Sequence, residues 1–164
     1  MPQFVLRSPD VRPNEVIPGA HVFDGWGCTG KNVSPELEWS GAPAGTKSFA
    51  LTVYDPDAPT GSGFWHWQIF NIPTSGTKLA KGAGDPKSGV SPAGSVQGRN
   101  DYGNVGYGGP CPPPGDKPHR YVFTVFALKV ERIELDATAT AAVIGFNINA
   151  NTIAKASFTA MYGR

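Results

Sequence analysis

Glycine and proline decide what this chain can fold into. Of its 164 residues, 21 are Gly and 16 are Pro. Between them lie short runs rich in aromatic and β-branched residues: Lys47–Tyr54, Trp65–Ile72 and His119–Val130. Runs of this kind, closed by turn formers, predict strands and not long helices. Gln3–Leu6 and Leu37–Ser40 are shorter candidates. The tail Ile153–Tyr162 alternates and reads as a last strand. The stretch 82–115 is dense in Gly and Pro and predicts a long loop, a kind of segment that is often functional. One helix is predicted from Ala137 to Asn149. Asp136 would be its N-cap, accepting first-turn amides, and Ala139, Val143, Phe146 and Ala150 would form its apolar face.

Length and composition predict one domain, 1–164. With 40% hydrophobic residues the chain can bury a core. The net charge is +1, from 14 basic and 13 acidic residues. No basic stripe offers itself to phosphates, which excludes nucleic acid as the main partner. The same balance argues against an electrostatic membrane anchor. No window is long and apolar enough to span a bilayer, so no integral membrane association is expected. Met1-Pro2-Gln3-Phe4-Val5 lacks the charged start and apolar stretch of a secretion signal, so the expected location is the cytoplasm. In that reducing setting Cys28 and Cys111 are expected to be thiols.

Several motifs resemble chemistry without supporting it. Gly25 to Gly30 fits a GxGxxG pattern, and Lys31-Asn32 extends it to one residue from a phosphate-binding loop. Such loops need a helix immediately after them. Pro35 holds Ser34 out of helical geometry, so the segment reads as a glycine-rich turn. No GxSxG, CxxC or HExxH occurs. An activated serine and the commonest zinc patterns are therefore unsupported, and no metal or cofactor is expected.

What remains is a constellation of polar residues in distinctive settings. Asp55-Pro56-Asp57-Ala58-Pro59 closes a predicted strand, and its prolines fix the direction of both carboxylates. Phe64 to Phe70 carries His66 between two tryptophans. Strict alternation would put His66, Gln68 and Phe70 on one face, and Trp65, Trp67 and Ile69 on the other. Gly108 to Gly115 leads into His119-Arg120-Tyr121, where His119 and Tyr121 share a face and Arg120 points away, toward a pairing with Asp57. Alone, each residue has a plain structural reading: a rigid turn, a core histidine, a stiff loop.

Together and in this order, the three segments resemble the phosphatidylethanolamine-binding protein family, which includes Raf kinase inhibitor protein. Asn32-Val33-Ser34-Pro35, Gly61-Ser62-Gly63 and Asn100-Asp101-Tyr102-Gly103 are similar to its bacterial YbhB/YbcL branch. The resemblance covers nearly the whole chain. It implies a mostly β fold: a large central sheet packed on a smaller one, with one or two short helices, one near the C-terminus. It also implies a pocket for a small phosphate-like anion or phospholipid head group, without catalysis. The residues it assigns to the ligand are Asp55, His66, His119, Tyr121, Gly109 and Pro110, supported by Asp57, Pro59, Cys111, Pro112 and Arg120. Histidine N–H groups, the Tyr121 hydroxyl and the Gly108–Gly109 amides would donate to the anion. Asp55 would orient a histidine. The aromatic mouth of eukaryotic members is missing from Thr60–Gly63, and their C-terminal extension is missing after Arg164, which favours a small anion over a whole lipid. Relatives also imply a kinase or protease partner, and a homodimer is open. The alternative is a hydrolase or metal-dependent enzyme using His66, His119 and Asp55, with Cys111 as its candidate nucleophile.

Overall fold

A computed structural model describes residues 2–164. The strands are β1 (Val5–Arg7), β2 (Leu37–Ser40), β3 (Ser48–Asp55), β4 (Phe64–Ile72), β5 (Lys78–Leu79), β6 (Val96–Gln97), β7 (His119–Leu128) and β8 (Thr152–Tyr162). One α-helix, α1 (Ala141–Asn151), precedes β8. The strands form a three-stranded sheet, β1-β2-β5, and a five-stranded sheet, β6-β4-β3-β7-β8. Every pairing between these strands is antiparallel. The two-sheet, mostly β fold is the one expected. The long run 82–115 is irregular apart from β6.

The two faces of the large sheet have separate partners. Phe49, Leu51, Val53, Trp67, Ile69, Phe123 and Val125 pack against Leu6, Leu37, Trp39 and Leu79 of the small sheet. On the opposite face, Ala50, Phe70 and Leu128 meet Ile144 and Ile148 of α1. Strand β3 is buried on both faces because it lies in the middle of the large sheet, which is why its sequence is apolar with little alternation.

The helix differs from expectation. It starts at Ala141, with Thr140 as N-cap. Asp136 instead accepts the amide and hydroxyl of Thr138, a local turn that satisfies its carboxylate before a helix begins. Its buried residues are Ala141, Ile144 and Ile148, whereas Val143 and Phe146 are exposed. This helix is apolar on most sides, so periodicity offers two faces. The branched isoleucines, filling the gap beside Phe70 and Leu128, decide between them.

The cysteines also differ from expectation. Cys28 and Cys111 are joined as a disulfide. The Gly25–Cys28 turn lies against the strap that leads into β7, and Phe23 N–H donates to Pro110 O at 3.0 Å. That contact brings the two Cα atoms to 5.9 Å, within the range a disulfide spans.

Candidate functional site

Strand β4 departs from simple alternation where the site needs it. Its pairing with β3 runs Val53↔Trp67 and then Tyr54↔Trp65, leaving His66 as an extra residue in a β-bulge. A bulge turns its extra residue onto a neighbour's face and re-aims the side chain. His66 therefore shares the small-sheet face with Trp67 and is parted from Gln68 and Phe70, correcting the alternation expected. Its ring centroid lies 4.8 Å from that of Phe64 and 5.2 Å from that of Tyr121. The neighbouring loop secures the bulge: Gly108 N–H donates to His66 O, and Asp101 N–H donates to Trp65 O.

Three strand ends then converge. Asp55 ends β3, Phe64 and His66 open β4, and His119 and Tyr121 open β7. They floor a cavity of about 280 Å³ whose walls include Trp26, Pro59, Tyr102, Cys111, Pro112 and Arg164. Asp55, His66, His119 and Tyr121, the four residues named from sequence, all line it.

The two histidines are held differently. His119 lies between two carboxylates, with Nδ1 2.7 Å from Asp55 Oδ2 and Nε2 2.9 Å from Asp116 Oδ2. Donation to both takes two ring protons, so this setting favours the imidazolium form. Burial opposes that charge, and the two carboxylates outweigh it and raise the histidine pKa. Asp55 is raised by its own burial, an effect partly offset by His119 and by the Asp57 amide. His66 is buried and donates Nδ1–H to Gly108 O at 2.7 Å. Burial pushes its pKa down to about 4. At neutral pH it is uncharged, and Nε2 carries a lone pair. The Tyr121 hydroxyl is buried with no hydrogen-bond partner.

This inventory corrects the donor set expected. Neither histidine has a spare N–H at neutral pH. The Gly108 and Gly109 amides are also committed, to His66 O and to Asn32 Oδ1 at 2.8 Å. Gly109 and Pro110 are buried behind the wall, which Cys111, Pro112 and Pro113 form instead. Gly109 is glycine for space, since a Cβ there would sit 2.2 Å from His21 O. Asp57 binds Arg120 on the far side through two charged contacts, NH2–Oδ1 at 2.8 Å and Nε–Oδ2 at 3.0 Å. The Arg120 guanidinium beside it brings the Asp57 carboxyl down to about 2. The third histidine, His21, is buried and donates to or accepts from no ligand-facing group, its Nδ1 lying 2.7 Å from Val33 O.

Sequence reasoning missed Trp26, Phe64, Tyr102, Asp116 and Arg164. Trp26 sits on the glycine-rich turn at φ 53° and packs edge-on against Phe64 and Tyr102. Its glycine neighbours were visible as a turn, but nothing local shows where a turn lands. Asp116 precedes His119 by one turn's spacing, which is the one usable signal among the five.

The chain is similar in sequence and in fold to known proteins. The family model described as phosphatidylethanolamine-binding protein matches residues 7–163. The chain is 54% identical to protein YbcL of Escherichia coli K12 over 97% of its own length and 87% of that protein. It is 49% identical to YbhB of the same organism, over 96% and 98%. The crystal structure of E. coli YbcL superposes with a TM-score of 0.97 over 98% of each chain. A Chlamydia trachomatis homologue, CT736, does so with a TM-score of 0.81 at 30% identity, over 98% of this chain and 97% of that one.

Proposed function

Because the chain belongs to the phosphatidylethanolamine-binding protein family, whose members are binding proteins, we propose that its cavity holds a small phosphate-like acid or phosphorylated head group and leaves it chemically unchanged. The observation that carries this is the Tyr121 hydroxyl, buried and unpartnered in the cavity floor. An orphaned buried hydroxyl costs about 1–3 kcal/mol, and an oxygen of a bound ligand would remove that cost. His66 Nε2 beside it accepts a hydrogen bond. The best complement is an acid that brings a proton of its own, such as a phosphate monoester in its monoanionic form. Its P–O–H would donate to His66 and another of its oxygens would accept from Tyr121. Asp55 touches no anion in this arrangement, since its oxygens accept from His119 and from the Asp57 amide.

Two observations favour binding over the enzyme alternative. Cys111 Sγ is bonded to Cys28 and is no nucleophile. Both nitrogens of His119 are engaged by carboxyl groups, at 2.7 Å from Asp55 and 2.9 Å from Asp116, which turns this ring away from the cavity's chemistry.

Calorimetric titration with phenyl phosphate from pH 5 to 8 tests the reading. A phosphate monoester loses its second proton near pH ~6. Affinity is expected to fall by up to about tenfold per pH unit above that point. Tyr121→Phe is expected to weaken binding by about tenfold. Affinity that is flat with pH and indifferent to Tyr121→Phe would sink the reading.

Two finer proposals rest on single observations. Trp26, 66% exposed at the cavity mouth, would meet a kinase or protease partner there. Trp26→Ala would then abolish partner inhibition; inhibition that persists would refute it. The disulfide is of a kind that endures in oxidising compartments and is rare in the cytosol. We therefore propose an oxidising compartment in place of the cytoplasm. Thiol alkylation in intact cells, before and after reduction, checks this: labelling without reduction would refute it.

A further inference from the structure

Arg164 and the disulfide meet at the cavity mouth. The Arg164 side chain crosses the gap between two loops. Its Nε–H donates to Pro112 O at 2.7 Å, and its terminal nitrogens reach Gly27 O at 3.3 Å and Trp26 O at 3.4 Å. Those carbonyls belong to the two loops that Cys28 and Cys111 join. A guanidinium has five N–H groups, so two remain free of these carbonyls. Gly27 leaves the room for it: at φ 86° it has no Cβ, and a Cβ there would lie 3.3 Å from Arg164 NH1.

The charge around the cavity gives this placement a purpose. Asp55, His119 and Asp116 form a chain of two carboxyl groups around one imidazole, a surplus of acidic groups. That surplus repels an incoming acid. Among the described residues, no side-chain carboxylate lies within salt-bridge distance of the Arg164 guanidinium, and Arg164 lines the cavity. The carbonyls that hold it are neutral and leave its charge intact.

We propose that Arg164 anchors the anionic group of the ligand, and that the Cys28–Cys111 bond aims it by fixing the carbonyls that hold its guanidinium. This rests on the cavity being a phosphate-like acid site. The chemistry recognised is a phosphate group, whether free or at the end of a lipid head group.

Titration calorimetry with inorganic phosphate and with phosphoethanolamine, a head-group monoester, tests it in five proteins: wild type, Arg164→Met, Arg164→Lys, Cys28→Ala/Cys111→Ala, and that cysteine pair combined with Arg164→Met. Arg164→Met is expected to bind both probes about tenfold more weakly or worse. Its affinity should also lose most of its ionic-strength dependence, which a merely structural arginine would not alter. Lysine should restore part of the affinity, as a point charge without the planar fork. The cysteine variant should weaken binding as well, and should add little once Arg164 is gone, because the two act through one contact. A tenfold preference for phosphoethanolamine would identify a lipid head-group source, and parity would identify free phosphate; the loss on Arg164→Met is expected either way. Wild-type affinity and salt dependence in Arg164→Met would overturn the proposal and leave the cavity reading standing. Failure of the wild type to bind either probe would overturn both.

Discussion

Breaking the disulfide is expected to cost this protein a large share of its stability. The cysteines are 83 residues apart, so the bond closes about half the chain into a loop. Restricting an unfolded loop of that size contributes about 4.5 kcal/mol at 25 °C by the chain-entropy relation. For a protein of this length each kcal/mol moves Tm by about 2–4 °C, so the expected fall is about 10–15 °C. Differential scanning calorimetry of Cys28→Ala, Cys111→Ala and the double variant measures it. The three curves should agree, since losing either sulfur loses the whole bond. If the single effects are small and add up in the double variant, ordinary side-chain packing is at work. A fall below about 4 °C would refute the loop-closure argument.

Other outcomes follow from the polar groups of the site. His66 has its folded pKa at about 4, below the ordinary 6.5. The unfolded state then binds the extra proton first, so stability is present above pH 6.5 and is lost as pH falls toward 4, by about 3 kcal/mol. Urea unfolding at pH 7 and pH 4 reads this, and His66→Gln should remove most of the difference. His119 has its folded pKa raised, so its contribution has the opposite sign: full below the unfolded pKa and lost as pH rises through the folded one. Tyr121→Phe should raise Tm in the absence of ligand, because it removes a buried hydroxyl that lacks a partner; a lower Tm would mean that the hydroxyl is satisfied. Gly109→Ala should prevent normal folding, since the added carbon meets the His21 and Phe23 backbone; a variant with wild-type Tm would refute that packing.

How much of this was legible beforehand depends on the range of the cause. Strands β3, β4 and β7 were readable because glycine and proline bound runs with a strong local preference. Asp55, His66, His119 and Tyr121 were readable through the resemblance, each one lying in an unusual segment. The orientation of His66 was not readable, because a bulge leaves the run of residues unchanged and alters only their partners. The disulfide left no spacing signal, because its two cysteines meet through the tertiary contact of Phe23 with Pro110. The carboxylate that occupies the second nitrogen of His119 belongs to an exposed, ordinary-looking Asp116. Arg164 lies far in sequence from the carbonyls of Trp26 and Gly27 that hold it.

The bulge at His66 makes the protein its own reporter. A ligand pulling on that imidazole acts on a strand whose carbonyls at Trp65 and His66 are tied to the Asp101 and Gly108 amides. Occupancy is then felt in the protection of the Asp101 and Gly108 amides against solvent exchange. It is felt also by the two indoles that flank the histidine. Trp67 is anchored through Nε1 to Gln97, and Trp65 lies against Tyr54 on the other face. A pair of fluorophores on opposite sides of one sheet, hinged at His66, would let light and amide exchange follow a ligand there without any label.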